Sequence, residues 1–296
     1  MKDTFSSYHP LVSFLYFTLV LLFAMFFIHP VCLGLSLVSA FSYSLYLNGR
    51  KAVRFNLYYM LPLLIIAALV NPAFNHEGAT ILGYLKDGNP LTLESIIYGI
   101  AAAVMLITVI CWFSCYNTVM TTDKFVYLFG RVIPSLSLIL SMALRFVPRF
   151  KAQLQVIVAA QKCIGRDVGS GSLWRRARHG LIILSILVTW SLENAIETAD
   201  SMKSRGYGLP GRTAFSIYRF DKRDKKALIF LLLCCGYILT GYALGGLYYR
   251  YFPTLQGTGA ELYPLSLYLC YLALCIMPVV INLKEERQWK AIQSEI

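Results

Sequence analysis

The residues with the clearest chemical purpose lie at the ends of two amphipathic stretches. One is Met202-Lys203-Ser204-Arg205-Gly206-Tyr207-Gly208, and the other is Ala160-Gln161-Lys162-Cys163-Ile164-Gly165-Arg166. Both close a helical pattern with Lys and then an Arg/Gly pair. Glycine just past a helix suits the left-handed C-terminal cap, because it lacks the Cβ that penalises that conformation. A cation at such a tip has two readings. Arg205 either stabilises its own helix beside the negative end of the dipole, or its planar guanidinium projects from the tip to pair bidentately with a partner's carboxylates. Two similar basic tips suggest two equivalent docking sites, and so a partner with two similar halves.

Other chemistry is sparse. The chain has no Gly-x-x-x-x-Gly-Lys-Ser/Thr phosphate loop, no Gly-x-Ser-x-Gly elbow, no His-Glu-x-x-His and no spaced pair of intramembrane carboxylates, so it is not expected to hydrolyse ATP itself. Its eight cysteines fall mostly in apolar runs without a Cys-x-x-Cys pair, and its four histidines are scattered. This suits reduced, buried thiols better than disulfides or a metal site. Trp174-Arg175-Arg176-Ala177-Arg178 reads as a solvated or headgroup-facing patch. The enzymatic alternative is a membrane-embedded transferase on phosphorylated lipids, with Arg175, Arg176 and Arg178 as phosphate binders. No cofactor, metal ion or nucleic acid is implied.

The elements that carry these tips belong to a membrane protein. Across 296 residues, 57% are hydrophobic and 14% charged, and the mean hydropathy is +0.60, far from soluble averages. Six apolar segments stand out: Leu11–Ile28, Val31–Leu47, Leu57–Val70, Ser95–Tyr116, Ala227–Tyr249 and Tyr263–Leu283. The third is short, and Pro62 within it and Pro72 just beyond it leave its ends open. Long unbroken runs favour helices over barrel strands, since a chain in lipid must satisfy its own backbone groups. The expected fold is an all-α membrane protein with about six transmembrane helices plus a cytoplasmic coupling region of long amphipathic helices. It divides into N-terminal membrane helices (1–117), a basic insert (118–226) and C-terminal membrane helices with a short tail (227–296).

Lys and Arg set the orientation. With both termini, the loop Asn48–Asn56 and the insert in the cytoplasm, 25 of 27 basic residues lie inside, leaving Lys86 and Arg250 outside. His29-Pro30 then forms an external turn. The first run is read as a retained helix rather than a cleaved signal. Spans almost free of charge argue against an ion path, and hence against a self-contained channel or transporter.

Within the insert, Thr121-Thr122-Asp123 offers a helix start. Val132 to Leu144 is apolar but short, and reads as interfacial or as part of the bundle wall. Phe146, Phe150, Leu154, Ile157 and Val158 then recur at helical spacing in an amphipathic helix running to Gly165, with Pro148 near a first turn or kink. Leu181 to Trp190 is apolar all round, and Leu192, Ala195, Ile196, Ala199 and Met202 continue as one stripe toward Gly206.

At these residues the chain resembles the transmembrane T component of energy-coupling factor (ECF) transporters, the cobalt and vitamin uptake branch of ABC transporters. The match centres on Met202 to Gly208 with Pro210-Gly211-Arg212, supported by Leu144-Arg145-Phe146-Val147-Pro148 and Ala160-Gln161-Lys162. The resemblance implies a non-catalytic scaffold in a bacterial or archaeal cell membrane. It implies that two helix-tip motifs dock on a pair of ABC ATPases, the second through Ser204, Arg205 and Gly206. At the first, relatives of the pattern Ala-Gln-Arg-Ala-Arg-Gly carry Arg where this chain has Ile164, leaving Lys162 and Arg166 as the nearby cations. It implies a further partner, a small substrate-binding membrane subunit. Phe146, Phe150, Leu154 and Ile157 are candidates to touch that subunit, the alternative being that they form the coupling region's own core.

Overall fold

The computed structural model describes the chain except residues 1–2, 85–88, 131–133, 168, 170, 210–217, 258–261 and 295–296. It is overwhelmingly helical, as the apolar runs require, and it separates into two compact units: residues 1–124 with 218–296, and residues 125–217.

In the first unit, two His-Pro steps start two helices. Pro10 opens α1 (Pro10–Phe26) and Pro30 opens α2 (Pro30–Asn48). Proline fits the first helical turn because its missing N–H would be unpaired there anyway. The histidine before each proline supplies the cap: His9 Nδ1 accepts from Leu11 N at 3.2 Å and His29 Nδ1 from Val31 N at 3.3 Å. Only Phe27 to His29 separate the two helices.

After Gly49, a near-continuous helical path runs through α3 (Arg50–Phe55), a π-helical turn (Asn56–Met60) and α4 (Leu61–Phe74). The third span is therefore longer than Leu57–Val70. Pro62 lies in the first turn of α4 and Pro72 in its last, so neither breaks the helix. α5 (Leu93–Val119) follows a short antiparallel ribbon of β1 (Ile81–Tyr84) and β2 (Pro90–Thr92). Later come α9 (Lys222–Ala243), a second ribbon of β3 (Tyr249–Arg250) and β4 (Gln256–Gly257), and α10 (Leu262–Ser294). The fifth apolar run thus ends its helix at Ala243, and the sixth continues well past Leu283.

α5 packs on α1, α2 and α4, while α10 packs on α2 and α9. Large aromatics fill the centre. Phe5, Tyr16, Phe17, Tyr43 and Trp112 are fully buried and meet mostly edge to face, the preferred geometry for ring quadrupoles. Their polar atoms are paired, with Trp112 Nε1 donating to Ser36 Oγ at 3.0 Å and Tyr16 Oη to the Cys275 carbonyl at 2.9 Å. All eight cysteines are free thiols.

The segment before α1 is clasped by side chains far away in sequence. Asn282, 1% exposed, accepts from Thr4 N and Phe5 N and donates to Asp3 Oδ1 at 2.6 Å. Tyr43 donates to Asp3 Oδ2. Lys124 donates to the carbonyls of Ser6 and Val119 at 2.5 and 2.9 Å, and burial pulls its amine below the ordinary lysine value. Asp224 ties two helix starts together, accepting from His9 N at 3.1 Å and Asp221 N at 3.0 Å.

The second unit holds most of α6 (Thr122–Gly130), then α7 (Pro134–Cys163) and α8 (Leu173–Ser204). The helix start at Thr122 agrees with the sequence. By contrast, the short apolar run and the amphipathic stretch after it are one helix, α7. Pro148 sits in its interior rather than in a first turn. Among the described residues, six helical runs are long and apolar enough to cross a membrane: Pro30–Asn48, Ala52–Phe74, Leu93–Val119, Leu173–Ser204, Lys222–Ala243 and Leu262–Gln293. α8 enters this set through its apolar first half, while α1, at 17 residues, is shorter than the rest. The result is an all-α, multi-pass membrane protein.

Candidate docking site

The two basic tips are the C-terminal ends of α7 and α8, and they are built alike. At the first, Gly165 N donates to the Lys162 carbonyl at 3.0 Å and Arg166 N to the Gln161 carbonyl at 2.9 Å. At the second, Gly206 N donates to Lys203 O at 3.0 Å and Tyr207 N to Met202 O at 3.0 Å. These paired bonds are the two of a Schellman cap, and both glycines take the left-handed conformation it needs, φ +78° and +79°. Both sequence-predicted caps are therefore present, in one geometry.

Aligning the tips on their glycines fixes which residues correspond. Lys162 matches Lys203, Cys163 matches Ser204, Ile164 matches Arg205, and Arg166 matches Tyr207. Neither Lys162 nor Arg166 stands where Arg205 stands. Lys162 Nζ lies 3.9 Å from Asp167, a long and exposed pair of small energetic weight. Arg205 and Arg166 are exposed and make no ion pair among the described residues. Ser204 Oγ donates to the Ser201 carbonyl at 2.9 Å, closing the last turn without using Arg205.

Between the tips, α7 and α8 pack on each other. Phe150 meets Trp190 edge to face at 5.6 Å, Phe146 stacks on Phe150 at 5.9 Å, and the Arg149 guanidinium lies 5.6 Å from the Trp190 ring centre. Pro148 lies two residues from this contact, where its absent N–H leaves the Leu144 carbonyl without its helical donor.

The candidate stripe on α7 divides. Phe146 and Phe150 are half-buried and Ile157 is buried, whereas Leu154 is exposed. Leu154 shares its face with Val147 and Val158, which are exposed at i−7 and i+4. On α8 most of the sequence stripe is also turned outward. Leu192, Ala195, Ile196 and Ala199 are exposed, Met202 of the stripe is half-buried, and the other inward positions are Trp190, Asn194 and Thr198. Asn194 and Thr198 tolerate burial because each bonds back along the helix, Asn194 Nδ2 to Trp190 O and Thr198 Oγ1 to Asn194 O. Sequence reasoning missed Asn194 and Thr198 because it looked for apolar residues. Trp190, at helical spacing from both, was the available signal.

Arg175, Arg176 and Arg178 are exposed in the first turns of α8, beside Trp174. Cations at this end oppose the helix dipole, so the cluster does not stabilise its own helix.

Comparison with known proteins matches the cobalt transport protein family, CbiQ, over residues 4–215. The chain is similar to the energy-coupling factor transporter transmembrane protein EcfT of Lactobacillus helveticus, 37% identical over 108 residues, covering 36% of this chain and 39% of the relative. It is similar to EcfT of Bacillus selenitireducens, 36% identical over 112 residues, covering 38% and 42%. With EcfT 1 of Listeria monocytogenes it is 29% identical over 192 residues, covering 60% of this chain and 70% of the relative. The chain thus matches about two fifths of the first two relatives' lengths. With the family pattern running from the N-terminal segment through both capped tips, this chain belongs to the CbiQ family, the T components of ECF transporters.

Proposed function

We propose that this chain is the non-catalytic scaffold of an ECF-type importer, passing the work of two ABC ATPases to a separate substrate-binding membrane subunit that takes up a vitamin or a transition-metal ion. The observation that carries this reading is the pair of identically capped helix ends, α7 and α8, one of which bears an exposed Arg205 with no ion pair among the described residues. A helix-terminal arginine already satisfied within the chain would need no partner. One left exposed on a rigid cap is preorganised for a carboxylate-lined groove.

In this reading both termini face the cytoplasm, and α1, α2, the run ending in α4, α5, α9 and α10 cross the membrane. α8 stays with the cytoplasmic coupling region, residues 118–226, although its composition would let it cross. The support is charge: Arg175, Arg176 and Arg178 open it while Lys203 and Arg205 close it, and a span would strand one of these cationic ends outside. ATP-driven approach of the two ATPases would move the tips, and the exposed face of Val147, Leu154 and Val158 would meet the substrate subunit. Phe150 and Ile157 would hold α7 to α8.

The test is Arg205→Glu in the full complex expressed in membranes. Membrane insertion should be unchanged, while co-purification of the ATPases and substrate uptake should both be lost. Retention of the ATPases at parental stoichiometry would refute the docking reading.

A further inference from the structure

The two tips share one backbone and present two chemistries. Superposition by hydrogen bonding puts Ile164 at the apex of the first tip, where the second carries Arg205. Ile164 is 61% exposed. Resting on the docking reading above, we infer that the first tip docks through Ile164 into an apolar groove without a carboxylate, whereas the second docks through Arg205 into an acidic groove. The two ATPase sites are then chemically unlike and cannot exchange tips.

Three observations lead here. First, Lys162 cannot be the stand-in for Arg205, because Lys203 occupies its position at the second tip in addition to Arg205. Second, Arg166 lies beyond the left-handed glycine, where the chain has already turned off the helix axis, at the position the other tip gives to Tyr207. Third, nothing local calls for isoleucine at this apex. A cation would gain from the helix dipole, and a β-branched residue gains nothing from exposure there.

Partner binding supplies a reason. Burying an isoleucine side chain and making a charge-assisted hydrogen bond stabilise a complex by comparable amounts. An apolar apex therefore docks as firmly as an arginine, provided the groove is apolar. Facing an acidic groove, Ile164 would leave a buried carboxylate unpaired, a costly arrangement that selects against the wrong pairing.

The experiment uses the full chain co-expressed with the pair of ABC ATPases from its own organism. Retention of each ATPase on the tagged chain is quantified, and thermal melting of the chain serves as the folding control. Ile164→Leu should keep both ATPases. Ile164→Asp and Ile164→Arg should each reduce retention of one ATPase by tenfold or more, while Lys162→Glu and Arg166→Glu stay within twofold of parent. The inference is overturned if Ile164→Arg binds as well as parent, or if Lys162→Glu or Arg166→Glu produces the loss. Arg205→Glu separates the two levels of the argument. If it keeps both ATPases, the docking reading falls. If it loses one or both while Ile164→Asp loses none, only the apolar first groove falls.

Discussion

Substituting alanine for Gly206 changes the shape of a helix tip without touching its charge. Gly206 holds φ +79°, a conformation that costs a residue with a Cβ roughly 1–2 kcal/mol. Little else opposes the change, because the nearest atom to an added Cβ is the movable Leu209 Cδ1 at 3.1 Å. At the matching Gly165 an added Cβ meets nothing within 4 Å, so there the backbone term stands alone. If docking requires the capped geometry, the whole penalty is transferred to binding, and roughly 1–2 kcal/mol corresponds to a loss of about 5- to 30-fold in affinity. The measurement is a titration of purified ATPases onto the chain in lipid nanodiscs, with far-UV circular dichroism confirming unchanged helix content. Gly206→Asn should lose less, since asparagine tolerates the left-handed region. Parental affinity in Gly206→Ala would show that the cap is not part of the docking surface.

Three further outcomes follow from other contacts. Asn282→Ala removes the partner of the Thr4 and Phe5 amides and of Asp3 Oδ1, while Asp3 Oδ2 keeps Tyr43. It should destabilise the chain by at least about 2 kcal/mol and raise amide exchange across residues 3–9; unaltered exchange there would contradict the clasp. His29 caps α2 through Nδ1, so its proton sits on Nε2 and is donated to Tyr268 Oη, 3.0 Å away. Burial lowers its pKa below 6.5, so the unfolded chain takes up the proton first. The His29 contribution is complete above pH 6.5 and declines as the pH falls toward the lowered native value. His29→Asn should keep a cap and flatten that decline in thermal melts, and a parallel slope in both proteins would count against it. Finally, Phe150→Ala and Trp190→Ala should show a coupling of roughly 0.5–1.5 kcal/mol in a double-mutant cycle, with uptake falling more than ATPase binding.

What the sequence disclosed, and what it hid, divides along physical lines. Gly165 and Gly206 were legible because a C-terminal cap is decided by a few neighbouring residues. The apolar runs gave the helices, since backbone satisfaction in lipid leaves little choice. Pro148 fitted a first turn or a kink equally well, and only the ring contacts of the flanking Phe146 and Phe150 with each other and with Trp190 show that the helix continues through it. Hydrophobic spacing alone pointed to Leu192 and Ile196, yet which face of α8 turns inward depends on α7. Asn282 gripping Thr4 across 278 positions of sequence leaves no local signature at all.

The contact of Phe150 with Trp190 stands nearly as far from one tip as from the other. From Phe150 to the last residue of α7, Cys163, is 13 residues, and from Trp190 to the last residue of α8, Ser204, is 14. At 1.5 Å per residue both tips lie about 20 Å along their helices from this contact. If both tips dock as proposed, α7 and α8 would act about this contact as arms of matched length. A turn of about 10° there would carry either tip through roughly 3.5 Å, more than the length of a hydrogen bond. Equal arms would then return equal travel at the two ends, even where one end carries isoleucine and the other arginine.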